Sequence, residues 1–169
     1  MRFFYLFSLT LFIFIGCSQK EESSNKDLVS EQINPKKKQK LFKRITPDKS
    51  GIQFKNEFQP KTEYNFFKFE YQFNGGGVGI IDINNDGLMD LFFSGNEVPS
   101  KLYLNKGNLK FEDITEKAGV ALADRWANGV AIADINGDGY SDIYVSCGGM
   151  NKAEDRANVL LINNGDMSF

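Results

Sequence analysis

Two nine-residue segments carry oxygen-bearing side chains at the same four positions. They follow the pattern Asp-x-Asn-x-Asp-Gly-x-x-Asp and comprise Asp82, Asn84, Asp86 and Asp90 in the first segment and Asp134, Asn136, Asp138 and Asp142 in the second. Calcium takes six to eight oxygen ligands from a flexible chain. The backbone carbonyl at the seventh position, Leu88 or Tyr140, can supply a further ligand, and the preceding Gly permits the sharp turn. The spacing therefore predicts two Ca²⁺ sites.

Two other interpretations of these segments stay open. Asn/Asp turns can cap strands without any metal, and Mg²⁺ is a possible ligand that demands stricter octahedral geometry. Three carboxylates within nine residues repel one another, which opposes folding when no cation is bound. The presence of all four side-chain ligands in both copies favours calcium, with an expected Kd of ~10⁻⁴–10⁻³ M, as in other extracellular modules.

The segments differ from the helix-flanked calcium loops known as EF-hands. Those loops end in a Glu at position 12, whereas the residue at that position is Phe93 in the first segment and Val145 in the second. The flanking residues are typical of strands rather than of helices. We therefore expect calcium loops that connect β-strands.

The composition excludes several other kinds of chemistry. The 169 residues include no His, which removes imidazole catalysis, Ser-His-Asp triads and most zinc sites. The net charge of −2 is too balanced to indicate a nucleic-acid binder. Outside the loops no paired acid and base stands out, so we expect a non-enzymatic protein. The glycine-rich Gly75–Gly79 precedes a strand and lacks the Gly-Lys-Ser/Thr ending of a phosphate loop, which favours close strand packing.

Two single residues invite a chemical interpretation, and packing explains both better. Cys147 lies in a strand-like run, where a free Cys usually acts as a small apolar residue. Trp126, beside Arg125, could contact a ligand, but interface packing is the favoured interpretation.

The loops belong to a longer internal repeat. The segment 77–93 matches the segment 129–145 at an offset of 52 residues, and 102–111 matches 160–169 at an offset of 58. A partial third copy lies upstream, where Phe42–Ile52 resembles Phe111–Val120. Repeats of 20 to 50 residues indicate solenoids, propellers or similar arrays.

Each repeat contains short stretches that predict β-strands. In the first copy these are Gly77–Ile81, Leu91–Ser94, Lys101–Asn105 and Leu109–Ile114. Four short strands in a unit of this length are typical of a β-propeller blade. We therefore predict an all-β fold, a partial β-propeller of about two four-stranded blades with calcium loops between adjacent strands.

Two segments outside this pattern have periodicities of their own. Helical periodicity is confined to Thr115–Ala123. In Tyr64–Phe73 aromatic residues alternate with polar ones, which predicts a half-buried strand packed on the first blade. A platform of aromatic rings that stack on sugars is the alternative for this segment.

The N-terminus predicts export and anchoring. The apolar run Phe3–Ile15 follows Arg2 and is shorter than the roughly 20 residues that span a bilayer, so a signal peptide over 1–16 is expected. Phe14–Cys17 resembles the lipobox of bacterial lipoproteins, which implies lipidation of Cys17. The polar segment 17–40 predicts a disordered tether.

The repeats resemble the FG-GAP/VCBS family, whose calcium loops lie between adjacent strands of propeller blades, as in integrin-type propellers. Similarity to proteins of the cartilage acidic protein type is carried by Gly75–Val78, Lys101–Asn105 and Phe111–Thr115. The resemblance implies a module for adhesion, ligand binding or surface assembly. It also implies N-terminal strands completing a blade over 41–73, a first repeat over 74–120 and a truncated second repeat over 121–169.

The expected protein is thus a calcium-binding, lipid-anchored module of the bacterial outer membrane or cell surface, with a glycan or a protein as its ligand. Two alternatives remain: a fragment of a calcium-dependent propeller enzyme that acts on polysaccharides, and a truncated gene product without function. Propellers have four to eight blades, more than this chain holds. An isolated pair of blades would expose a sheet edge and an apolar face, which favours association.

Overall fold

A computed structural model describes residues 41–59, 65–150 and 152–169 of the chain. The expected signal peptide, the lipidation site at Cys17 and the tether lie outside the described residues. Residues Lys43–Phe169 form one unit that contains the strands found in the described ranges. In the described ranges no helix is long and apolar enough to cross a membrane.

In the described residues, seven strands form two antiparallel sheets. The first sheet, blade 1, has the order β1-β2-β3-β4, and the second, blade 2, has the order β5-β6-β7. The strands are β1 Val78–Ile81, β2 Asp90–Phe93, β3 Lys101–Asn105, β4 Phe111–Asp113, β5 Trp126–Ala133, β6 Asp142–Gly148 and β7 Val159–Leu161. The predicted all-β fold is confirmed, and the two sheets are consistent with blades of a partial β-propeller. Blade 2 has three strands in the described residues rather than the predicted four.

The short connections are helical turns. One-turn helices α1 and α2 cover Pro47–Ser50 and Thr115–Ala118, and 3-10 turns cover Glu70–Phe73 and Glu154–Arg156. The helix at Thr115 is shorter than the periodicity over Thr115–Ala123 suggests, because Gly119 adopts a left-handed conformation with φ 74° and its N–H caps the preceding turn.

The strand predicted over Tyr64–Phe73 is wrong for the described residues 65–73, and 41–59 contain no strand either. Asn65 begins a turn in which its carbonyl accepts hydrogen bonds from the N–H groups of Lys68 and Phe69. These local bonds satisfy backbone groups that a strand would leave for a neighbouring strand. The Phe69 ring instead packs edge-on against Trp126, with centroids 5.3 Å apart.

The two blades pack face to face through Gly77, which precedes β1, and Gly79, which lies within it. A Cβ built on Gly79 would lie 2.9 Å from Val130 Cγ1, and one built on Gly77 would lie 2.6 Å from the Asn128 carbonyl oxygen. No larger side chain fits at either position unless β5 moves, so glycine sets the spacing of the sheets. The prediction of close strand packing at the glycine-rich run is confirmed.

The core lies between the blades. It contains the buried side chains of Ile81, Ile83, Phe92, Leu102, Leu104, Ile114, Ala118, Val120, Ala127, Ile143 and Val145. Trp126 is 2% exposed and contacts Phe58 and Phe69, which confirms that it packs in the interior. Cys147, in β6, is half-buried against the core, and burial raises the pKa of its thiol. Both residues therefore have packing roles.

Candidate metal centres

Both Asp-rich segments connect adjacent antiparallel strands. Loop 1, Asp82–Asp90, runs from the end of β1 to the start of β2, and loop 2, Asp134–Asp142, runs from the end of β5 to the start of β6. The strand pairs that close the loops are Ile81 with Asp90 and Ala133 with Asp142. Each loop is thus held at both ends by one rung of a β-ladder.

Three side chains of loop 1 turn toward the same point. The backbone N–H of Asp86 donates to Asp82 Oδ1 at 3.1 Å and to Asn84 Oδ1 at 3.3 Å, so these two oxygens lie around one nitrogen. Asn84 Nδ2 donates to Asp86 Oδ2 at 3.0 Å, which brings the third side chain to the same place. The first, third and fifth positions therefore gather their oxygens on one side of the loop.

Loop 2 repeats this arrangement. The N–H of Asp138 donates to Asp134 Oδ1 at 3.2 Å and to Asn136 Oδ1 at 3.1 Å. Asn136 Nδ2 donates to Asp138 Oδ2 at 2.7 Å. The matching hydrogen bonds show that the sequence repeat is also a repeat of local structure.

Glycine at the sixth position of each loop is required by backbone conformation. Gly87 has φ 83° and Gly139 has φ 88°, values that side-chain-bearing residues rarely adopt. No atom lies within 4 Å of a Cβ built on either residue, so space does not select glycine there. The turn places the N–H groups of Gly87 and Gly139 on Oδ2 of Asp82 and Asp134, at 2.8 and 2.9 Å.

The ninth-position carboxylates are buried and point toward the strands. Asp90 is 1% exposed; its Oδ2 accepts from the N–H of Ile83 at 3.0 Å and its Oδ1 from the N–H of Asn105 at 2.6 Å. Asp142 is fully buried and accepts from the N–H groups of Ile135 and Asn163 at 2.9 and 2.8 Å. Asp90 therefore links its loop to the end of β3, and Asp142 links its loop to the segment just after β7.

Burial and the neighbouring negative charges both disfavour the ionised form of the Asp90 carboxyl group. Desolvation is the largest effect and raises the pKa of its carboxyl, and repulsion from Asp86 and Asp82 raises it further. The hydrogen bonds from the N–H groups of Asn105 and Ile83 lower that pKa and do not offset the rise. Among the described residues no Lys or Arg forms an ion pair with a loop carboxylate. A cation beside the loop would relieve this excess of negative charge.

The donor set fits a hard divalent cation. Each loop offers two convergent carboxylates, one amide oxygen, a nearby buried carboxylate and the carbonyl of Leu88 or Tyr140, and all of these ligands are oxygens. No group of three or more His, Cys, Asp or Glu side chains is arranged to hold a metal ion in the described parts of the chain. The third ligand of each convergent set is an Asn, and Asp90 and Asp142 face backbone amides. The Ca²⁺ ligands therefore stay a prediction.

The two loops touch each other, which the sequence did not predict. Asn85 Nδ2 in loop 1 donates to the Gly139 carbonyl in loop 2 at 3.1 Å. The buried Asn163 Nδ2 donates both to the Ile83 carbonyl in loop 1, at 2.9 Å, and to the Ser141 carbonyl in loop 2, at 3.2 Å. In the sequence, the only indication of this contact is the Asn that ends both the Leu-Tyr-Leu-Asn and the Leu-Leu-Ile-Asn segments.

Residues 67–145 match the sequence profile of the FG-GAP-like repeat family. Cartilage acidic protein 1 of Xenopus tropicalis is 38% identical over 69 residues, covering 41% of this chain and 11% of that protein. Integrin alpha-8 of Gallus gallus is 34% identical over 105 residues, covering 54% of this chain and 10% of that protein. No solved structure matches. The chain thus spans about a tenth of the length of these relatives, and the matches support an FG-GAP-like repeat that includes both loops.

The bridge made by Asn163 generates a prediction about stability. Asn163→Ala removes hydrogen bonds to two carbonyl groups in a buried position, and we expect a loss of about 1–3 kcal/mol in the free energy of unfolding. The matched variant Asn105→Ala removes a more exposed side-chain hydrogen bond, to the Met89 carbonyl, and is expected to cost less. Urea unfolding of the two variants measures the difference, and equal losses would contradict the bridging role of Asn163.

Proposed function

We propose that the chain is a calcium-binding propeller module, anchored by lipid at Cys17 to the outer membrane or surface of a bacterial cell, where it binds a glycan or protein ligand without catalysing a reaction. The observation that carries the calcium part is that the Asp82 and Asn84 oxygens meet at the N–H of Asp86, whose own carboxylate accepts from Asn84 Nδ2, an arrangement repeated in loop 2. The similarity to integrin and cartilage acidic protein sequences supports a binding role.

Ca²⁺ supplies positive charge and a coordination centre when bound, and the chain's own residues determine where it acts. Asp82, Asn84, Asp86, the Leu88 carbonyl and Asp90 would hold the ion of loop 1. In loop 2 the ligands would be Asp134, Asn136, Asp138, the Tyr140 carbonyl and Asp142. Asp90 and Asp142 also accept hydrogen bonds from the N–H groups of Asn105 and Asn163. Neutralising the negative charge of the loops would therefore also stabilise the backbone at these two residues. The rigid blade surface then meets the ligand with little loss of conformational entropy.

Calorimetric titration of the purified full chain with Ca²⁺ tests this proposal. We expect about two ions per chain, one lost in Asp86→Ala, one lost in Asp138→Ala and both lost in the double variant, because each substitution removes the central carboxylate of one loop. Glu116→Ala, which removes an exposed acid outside the loops, is the matched control. A folded wild-type protein that takes up no Ca²⁺, or binding that survives the double substitution, would disprove the calcium sites.

The anchor at Cys17 has a separate test. The intact mass of the membrane-extracted protein should show the loss of residues 1–16 and the addition of a lipid to the new N-terminus, and Cys17→Ala should lack both changes. An unprocessed N-terminus in the wild-type protein would contradict the anchor while leaving the calcium proposal intact.

A further inference from the structure

A cleft of about 540 Å³ lies where the two blades meet the aromatic segment that precedes β1. Its walls come from residues 75–77 before β1, residues 128–129 in β5 and residues 148–149 at the end of β6. Phe69 and Tyr71 of the aromatic segment complete the rim. Ligand pockets of proteins commonly enclose ~300–1,000 Å³, so the cleft has room for a small molecule or a short oligomer.

The lining of the cleft is polar without being charged. It consists of six glycines, two asparagines and two aromatic residues, and among the described residues no charged or aliphatic side chain lines it. An ionic ligand would lose water there without meeting an opposite charge, which is costly. A peptide with apolar side chains would find no aliphatic pocket. The lining therefore favours a neutral ligand that carries many hydroxyl groups.

Glycine keeps the cleft open because the backbone lies too close to its neighbours for a side chain. A Cβ built on Gly149 would lie 2.7 Å from Trp126 Cβ, and one built on Gly76 would overlap the Ser94 carbonyl oxygen. Neither position accepts a larger residue unless the backbone moves. The walls therefore consist largely of backbone, which a ligand can approach closely.

Asn128 provides a hydrogen-bond donor in a fixed position. Its Oδ1 accepts from Asn96 Nδ2 at 3.3 Å, and the Oδ1 of the buried Asn96 accepts from Asn56 Nδ2 at 2.7 Å. Asn128 Nδ2 donates to no group in the described part of the chain. It lies 3.2 Å from the position of a Cβ on Gly148, which also lines the cleft. A donor held by two further amides is pre-organised for a ligand.

Asn74 adds a second amide at the rim. It is exposed, and within the described ranges its side chain forms no hydrogen bond. A carboxamide can donate and accept at the same time. Neighbouring hydroxyl groups of a sugar ring also donate and accept, so the two amides match that class of ligand.

The two aromatic rings of the rim are held by edge-on contacts. Phe69 packs against Trp126 with centroids 5.3 Å apart, and Tyr71 packs against Phe69 with centroids 6.1 Å apart. Tyr71 stays 63% exposed. The face of an aromatic ring carries partial negative charge, which attracts the weakly positive C–H groups of a sugar ring. Tyr71 thus provides a stacking surface beside the two amides.

We propose that this cleft binds a neutral oligosaccharide, with Tyr71 stacked on one sugar ring and the amides of Asn74 and Asn128 hydrogen-bonded to its hydroxyl groups. The inference rests on the proposed ligand-binding function, and it names the class of ligand and the place where it binds. The calcium loops leave β1 and β5 at the ends remote from the cleft. Binding of the saccharide and binding of Ca²⁺ are therefore measured separately.

Titration of the purified full chain with cellotriose, xylotriose, mannotriose and maltotriose, in saturating Ca²⁺, tests the inference. Calorimetry gives the affinity, and the emission of Trp126, the one tryptophan of the chain, should change because Phe69 and Gly149 lie against it. We expect at least one of these trisaccharides to bind with one molecule per chain. Trigalacturonic acid brings carboxylates to a cleft without counter-charge and should bind roughly tenfold more weakly than the best of them.

Four variants locate the ligand. Tyr71→Ala should weaken binding roughly tenfold because the stacking ring is lost, whereas Tyr71→Phe keeps the ring and should keep the affinity. Asn128→Asp retains the acceptor for Asn96, loses the free donor and should also weaken binding roughly tenfold. Phe67→Ala is the matched control, because this ring of the same segment is 96% exposed and lies outside the cleft. Circular dichroism checks that each variant folds.

Three results would overturn the inference. They are the absence of binding by all four neutral trisaccharides, equal affinity for trigalacturonic acid, and an affinity that neither Tyr71→Ala nor Asn128→Asp reduces. A protein ligand that is lost in Tyr71→Ala, in place of a saccharide, would also overturn it and leave the broader binding role standing. Uptake of Ca²⁺ by the same samples shows whether the calcium sites stand or fall independently.

Discussion

The last residue of each loop is a buried carboxylate, Asp90 or Asp142. The shape of the loop and the position of the backbone at Asn105 or Asn163 both depend on it. Asp90 and Asp142 each accept one N–H from their own loop and one from outside it, from Asn105 at the end of β3 or from Asn163 just after β7. A change in the shape of either loop therefore breaks a hydrogen bond that also holds the end of the third strand or the segment just after it. Burying a charge is costly unless it is hydrogen-bonded and neutralised. The hydrogen bonds are present, and the proposed cation would complete the neutralisation.

A second constraint ties the two sites together. Gly77 and Gly79 let β1 approach β5 closely, and this approach brings loop 1 beside loop 2. Asn163 takes part in both constraints. Its backbone N–H donates to Asp142, and its side chain donates to a carbonyl in each loop. The two loops are therefore joined by hydrogen bonds of 2.9–3.2 Å, of which the bond from Asn163 to the Ile83 carbonyl is buried. The blades are linked through their loops as well as through their packed faces.

The repeat made much of this structure predictable from sequence. The strand Lys101–Asn105 and the position of both loops follow from alternation and from the duplicated Asp spacing, because local pattern and tertiary role agree there. The strand predicted for the aromatic segment before β1 was wrong for the described residues 65–73. Its alternation is typical of a strand, but Asn65 forms a local turn and the Phe69 ring packs on a tryptophan 57 residues away in sequence. Contacts such as Asn85 to Gly139 depend on the packing of two sheets, which no local pattern reveals.

Amide hydrogen exchange at the four N–H groups that donate to the buried carboxylates tests the central claim most directly. These groups belong to Ile83, Asn105, Ile135 and Asn163. If a cation neutralises the loops and thereby holds the strands, exchange at all four should slow when Ca²⁺ replaces a chelator, including at Asn105 and Asn163, which lie outside the loops. If slowing is confined to amides within the loops, or if Ca²⁺ leaves all four rates unchanged, the buried carboxylates do not link the metal to the blade.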